Sequence, residues 1–191
     1  AMRFNLTFVV ILLYISTHLT GNYINTKRVV DKIQFTGLYN ISEKDLPKLN
    51  MLKTKVNYKP ISNHIIEDIH LLYLTGYFNK VSAFSEVTKN EHILTFKFSE
   101  NPIVNTIKLQ GASKLHKKKL KKKLQTKPKK VLNIKKLEQD KQTIRSIYNE
   151  KGYNLMNISD ISLDPSRNIT FTVHEGTIEN ISLSGLNKIK P

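Results

Sequence analysis

Three copies of one short pattern constrain this chain more than any other feature: Ile33-Gln34-Phe35-Thr36-Gly37, Ile107-Lys108-Leu109-Gln110-Gly111 and Ile181-Ser182-Leu183-Ser184-Gly185. The interval from Gly37 to Gly111 equals that from Gly111 to Gly185, which is the signature of tandem modules. Each copy reads apolar-x-apolar-x-Gly: a strand with one buried face, then a glycine that lets the backbone turn. A module of about 75 residues is near the lower limit for an independent core, so each should be a compact sheet-and-helix sandwich that leans on its neighbours.

Inside the first interval, Ser42-Glu43-Lys44-Asp45 reads as a capped helix start, and Pro47 should keep that helix short or irregular. A clearer helix follows, with Ile65, Ile69 and Leu72 on one stripe beside Ile66 and Tyr73, ended by Gly76. Two strands close the module, Val81, Ala83 and Val87 in the first and Leu94, Phe96 and Phe98 in the second, joined at Lys89-Asn90-Glu91 and stopped at Glu100-Asn101-Pro102. The second interval repeats the order. A strand at Ile107 and Leu109 leads to a helix opening at Ser113, then a helix carrying Leu137, Ile144, Ile147 and Tyr148. Strands near Ile161 to Leu163 and Ile169 to Val173 flank the turn from Asp164 to Asn168. The predicted class is α+β, each module β-α-α-β-β with a small mixed three-stranded sheet covered on one face by two helices.

Before the repeat, Arg3 precedes the apolar run Phe8 to Ile15, and Ser16-Thr17-His18 follow it. That layout predicts a secretory signal peptide over residues 1–21, with an apolar run shorter than a membrane span needs. A linker over 22–29 leads into modules at 30–101 and 102–176, and 177–191 would begin a third. There is no cysteine, which excludes disulfides, thiolate metal sites and cysteine nucleophiles. The six histidines show no metal-ligand spacing, and no phosphate loop or nucleophile elbow occurs, so neither cofactor nor metal is predicted and the chain reads as a non-enzyme. His174-Glu175, at a strand end, reads as ordinary surface. The Asn-x-Ser/Thr triplets at Asn157, Asn168 and Asn180 are those expected by chance in an Asn-rich chain.

The formal net charge is +16, from 31 basic and 15 acidic residues, yet only Arg3, Arg28, Arg145 and Arg167 are arginine. Twelve of the lysines fall between Lys114 and Lys136, an interval without Arg, Phe, Tyr or Trp. It therefore lacks guanidinium forks and base-stacking rings, and specific nucleic-acid binding is not predicted. Leu115, Leu120 and Leu124 should face a core while the lysines stay in water. Attraction to anionic lipid headgroups or acidic segments is the functional alternative.

In order along the chain, the strand-Gly openings, Leu72-Tyr73-Leu74-Thr75-Gly76-Tyr77-Phe78 leading to Val81, Ile147-Tyr148-Asn149-Glu150-Lys151-Gly152-Tyr153, and the endings Glu100-Asn101-Pro102 and Glu175-Gly176 resemble POTRA domains, over about residues 30 to 191. These are the polypeptide-transport modules placed before the barrel of BamA-like outer-membrane assembly proteins. Physically, Tyr73 and Tyr148 at the end of the second helix can close the gap between helix and sheet, and Gly76 and Gly152 can take the left-handed conformation that ends a helix, so all four read as packing residues. The resemblance implies capture of extended client segments by β-augmentation on the second strand of each module. Carried onto this chain, the edges are Lys80 to Val87 and Asn157 to Leu163, with Lys80, Val81, Ser82, Ala83, Phe84, Ser85, Asn157, Ile158, Ser159, Asp160 and Ile161 as the client-strand residues. Implied partners are unfolded outer-membrane β-barrel proteins, accessory assembly lipoproteins and a C-terminal barrel of the same protein. The implied location is the periplasmic side of the outer membrane, or a plastid envelope. A two-partner secretion transporter, an organelle import channel and an FtsQ-like division protein are the related alternatives.

Overall fold

The computed structural model describes residues 2–3, 28–46, 49–177 and 180–182. The repeat resolves into two mixed sheets with separate cores. In the first module, β2 (Lys32–Thr36) runs parallel to β4 (His92–Glu100), and β3 (Phe78–Val87) pairs antiparallel on the other side of β4, giving the order β2-β4-β3. In the second, β5 (Ile107–Gln110) runs parallel to β7 (Ile169–His174), with β6 (Asn157–Leu163) antiparallel beyond it. A two-residue strand, β1 (Met2–Arg3), pairs antiparallel with Leu163 and Ser162 of β6, so the second sheet has four strands in the order β1-β6-β7-β5.

Period-two alternation sets the register. Ile33 faces Leu94 and Phe35 faces Phe96 across the parallel pair, while Val81 and Ala83 face Phe98 and Phe96 across the antiparallel one. Leu94 and Phe96 are fully buried, and burying side chains of this size contributes roughly 1.5–3 kcal/mol each. The Phe35 ring stacks on Phe96 at 5.9 Å, and Phe78 tilts against Phe98 at 4.6 Å. The second core repeats the arrangement with Ile107 opposite Ile169 and Leu109 opposite Phe171.

Each sheet opening needs its glycine. A Cβ on Gly37 would stand 2.1 Å from the Phe98 carbonyl oxygen, and one on Gly111 would stand 2.1 Å from that of Val173. Both residues have φ near +80°, so close approach and left-handed backbone exclude a side chain together.

Helix α1 (Ser62–Tyr73) covers the first sheet, and α2 (Lys117–Lys123) and α3 (Ile134–Glu150) cover the second. Two expectations are corrected. The first helix of the first module is replaced by 3₁₀ turns at Glu43–Asp45 and Leu49–Met51. In the second module the helix opens at Lys117, after the N-cap residue His116, because Ser113 is drawn into hydrogen bonds with Glu175. Leu120 and Leu124 are buried and the six lysines of α2 are exposed. Helix α3 continues well past its buried Asp140, whereas α1 stops soon after its counterpart Asp68. The apolar run Phe8 to Ile15, the cleavage region and Pro47 lie outside the described residues, as do Leu183 to Gly185 of the third opening, whose Ile181 is exposed and outside any strand.

The junction between modules is hydrogen-bonded. Asn101, buried at the end of the first module, donates from Nδ2 to the carbonyls of Gly76 and Leu132, both at 3.0 Å. Asn133, the N-cap of α3, accepts from the Lys136 N–H and donates from Nδ2 to the Thr75 carbonyl at 2.9 Å. The Ile134 N–H donates to Gly76 at 2.9 Å, and Val131 packs against the first core. The loop that ends α1 is thus built into the N-terminus of α3.

Candidate functional site

The residues expected to receive client strands fall on β3 and β6. β3 ends its sheet on one side, so the backbone groups along that rim face no other strand among the described residues. Val81 and Ala83 are half-buried against the core, whereas Lys80 and Phe84 are exposed, Phe84 by 56% on the solvent face. Ser82 and Ser85 are half-buried. The Ser85 hydroxyl is 2.8 Å from Nε2 of the buried His92, whose Nδ1 lies 3.1 Å from the Val29 carbonyl. That carbonyl can only accept, so Nδ1 carries a hydrogen towards it.

On β6, Ile158 and Ile161 point into the core, Asn157 and Ser159 are exposed, and Asp160 is half-buried. Met2–Arg3 covers the rim at Ser162 and Leu163, and among the described residues no strand pairs with the rim from Asn157 to Ile161. Each candidate strand breaks register near its start, at Asn79 on β3 and at Ser159 on β6. Such bulges twist an edge and limit indiscriminate pairing. The open stretch on β3 from Lys80 to Val87 is therefore the longer and more apolar of the two.

Sequence reasoning missed two pairs of carboxylates that fasten the connecting segments of each module, away from the β3 and β6 rims. Glu100, closing β4, accepts from the backbone N–H groups of Tyr39, Asn40 and Ile41 and from the Asn40 amide. Glu175, just past β7, accepts from Ser113 N–H and Oγ, Lys114 N–H and the hydroxyl of fully buried Tyr148. The reading of Glu175 as ordinary surface is thereby corrected. For both glutamates desolvation works against ionisation, but these hydrogen bonds outweigh it: Glu100 falls below the usual carboxylate value and Glu175 falls to about 2. Burial and the Glu175 bond push the Tyr148 phenol up. Tyr73, by contrast, is only half-buried.

The second pair sits on the helices. Asp68 accepts from the N–H groups of Lys53 and Thr54, and Asp140 from those of Gln125 and Thr126. Both are buried. The signal was present, because Ile65-Asp68-Leu72 and Leu137-Asp140-Ile144 share one spacing, which places an acid on each apolar stripe. Among the described residues no group of His, Asp or Glu is arranged to hold a metal, and no helix is long and apolar enough to cross a membrane.

Residues 102–176 match the model of the POTRA family, described as a surface antigen variable number repeat. Among solved structures, the N-terminal domain of Omp85 from the thermophilic cyanobacterium Thermosynechococcus elongatus superposes with a TM-score of 0.65 at 20% identity, over 80% of this chain and 64% of that one. POTRA1-3 of the periplasmic domain of Omp85 from Anabaena gives 0.61 at 21% identity, over 80% and 63%. The POTRA1-2 fragment from the same source gives 0.57 at 22% identity, over 79% and 97%. The chain thus spans slightly less than two thirds of the first two structures. No curated protein matches the sequence. The fold is that of POTRA modules, α+β with small mixed sheets.

Proposed function

We propose, from the premise that residues 102–176 form a POTRA module, that this chain is a non-catalytic scaffold that captures extended polypeptide segments by adding them to open sheet rims. Its clients are unfolded outer-membrane β-barrel proteins. Accessory assembly lipoproteins and a C-terminal barrel of the same protein are its further partners, on the periplasmic side of an outer membrane or in the equivalent space of a plastid envelope. The observation that carries this reading is the rim of β3, unpaired among the described residues, with Phe84 and Val87 both about half exposed beside it. Main-chain hydrogen bonds supply affinity there, and alternate side chains of the client supply loose selectivity. That balance suits a receptor for many unfolded chains.

The test is photo-crosslinking from Ser82 and Ser85 to a synthetic peptide of alternating apolar residues. Crosslinks should follow the β3 rim and vanish when proline replaces alternate residues of the peptide, since proline donates no N–H. Capture that tolerates those prolines, or maps to the helices, would refute augmentation on β3.

A further inference from the structure

The two modules enclose a cleft that the edge reading does not use. It has a volume of about 510 Å³, and Lys127, Lys129, Lys130 and Lys136 line it together with Tyr77 and Asn40. Among the described residues no acidic side chain lines it. The carboxylates nearby, Glu100 and Asp140, already accept from backbone N–H groups, Glu100 from Asn40 and Asp140 from Gln125 and Thr126. Lys136 donates to the Tyr77 hydroxyl at 3.2 Å and lies 5.6 Å from the ring centroid. With its oxygen accepting from Lys136, the phenol keeps a proton to donate onward.

One wall residue is held against its own preference. Lys129 has φ +63°, and its N–H donates to the Val104 carbonyl at 2.7 Å. Its counterpart in the first module is Asn57, with φ +68° and an N–H donating to Val30 at 2.7 Å. Asparagine tolerates this left-handed backbone and lysine does so poorly. The second module therefore accepts local strain at the point where a cation reaches the cleft.

We infer that this inter-module cleft binds a compact, multiply charged phosphate group. The wall offers ammonium, hydroxyl and amide donors, and it has no guanidinium fork of the kind that favours planar carboxylates. A phosphate carries up to two charges and several acceptor oxygens in a small volume, which matches clustered ammonium groups. The same chemistry comes from a soluble diphosphate or from the headgroup of an anionic phospholipid.

The 191-residue chain is titrated with pyrophosphate by calorimetry at physiological salt. Saturable binding should weaken about tenfold or more in Lys129→Asn/Lys136→Gln, which removes two charge-assisted contacts. Lys118→Gln/Lys119→Gln removes the same charge from α2, away from the cleft, and should change affinity less than about twofold if screening leaves only near contacts. Absence of saturable binding, or equal weakening by both pairs, overturns the site. Lys129→Asn alone separates folding from binding, because it should raise the melting temperature while lowering affinity; a melting temperature that falls overturns the strain argument. Sedimentation with phosphatidylcholine vesicles, with and without phosphatidic acid, identifies the source. Vesicle binding lost in the cleft variant assigns a lipid headgroup, and vesicle binding unchanged while pyrophosphate binding is lost assigns a soluble phosphate.

Discussion

Gly76 and Asn133 are in contact across the module boundary: a Cβ on Gly76 would lie 2.7 Å from Asn133 Oδ1 and 3.1 Å from the Lys135 nitrogen. Gly152 ends α3 with nearly the same backbone, φ +83° against +86°, yet nothing lies within 4 Å of where its Cβ would stand. Gly152→Ala should therefore cost only the left-handed backbone, about 1–2 kcal/mol. Gly76→Ala adds a clash with the cap of α3, raising the loss to about 3 kcal/mol or more. Denaturant unfolding of both variants measures the difference, and equal losses would show that the contact gives way freely.

Asn101 supplies the other half of that boundary, and its two carbonyl partners belong to different modules. Asn101→Ala takes its amide donor from the buried Leu132 carbonyl, while Gly76 keeps the Ile134 N–H, a loss of about 1–3 kcal/mol. The sheets themselves are untouched. The expected outcome is faster amide exchange at Leu132 and Ile134 and a wider spread of inter-module angles in solution scattering, with exchange in β4 and β7 unchanged.

Asp140 is fully buried and holds the chain entering α3 through the N–H groups of Gln125 and Thr126. Asp140→Ala strands both donors, and with about 1–3 kcal/mol for each unsatisfied group the loss should reach several kcal/mol. Asp140→Asn keeps the shape and one acceptor oxygen, so it should recover part of that. Thermal melts of the two variants would check the order Asn above Ala.

The sheets were legible because both signals they depend on are local: alternation along Leu94-Phe96-Phe98 and a glycine after each opening strand. The capping chemistry was not, because it joins residues far apart in the chain. Glu175 meets Ser113 and Lys114 only after β5 and β7 have paired in parallel, and a single glutamate at a strand end carries no mark of that. Ser113 reads as a helix opening for the same reason, because the distant carboxylate that claims its hydroxyl leaves no local mark. The candidate rims on β3 and β6 came from resemblance, while the bulges at Asn79 and Ser159 that shape them leave no trace in hydrophobic period.

Glu175 makes the acid limit of the second module predictable. Its folded-state value, about 2, lies below the ordinary 4.5. A carboxyl depressed in this way contributes stability that is fully present above the unfolded value and is lost as pH falls through the folded one. The loss should therefore develop between about pH 4.5 and 2 and be complete below that. Glu175→Gln removes the charge that Ser113, Lys114 and Tyr148 hold, so the variant should be less stable at neutral pH and its melting temperature should depend less on pH across that window. Tyr148→Phe preserves the packing and removes one donor, costing about 1–2 kcal/mol at neutral pH, and the partner's acid dependence should shrink without disappearing. At the alkaline end the phenol, raised by burial and by Glu175, contributes stability that is present below its unfolded value of 10 and lost above it. Melting curves of the three proteins from acid to alkaline pH test both limbs at once, and an acid limb unchanged in Glu175→Gln would remove this carboxylate from the account.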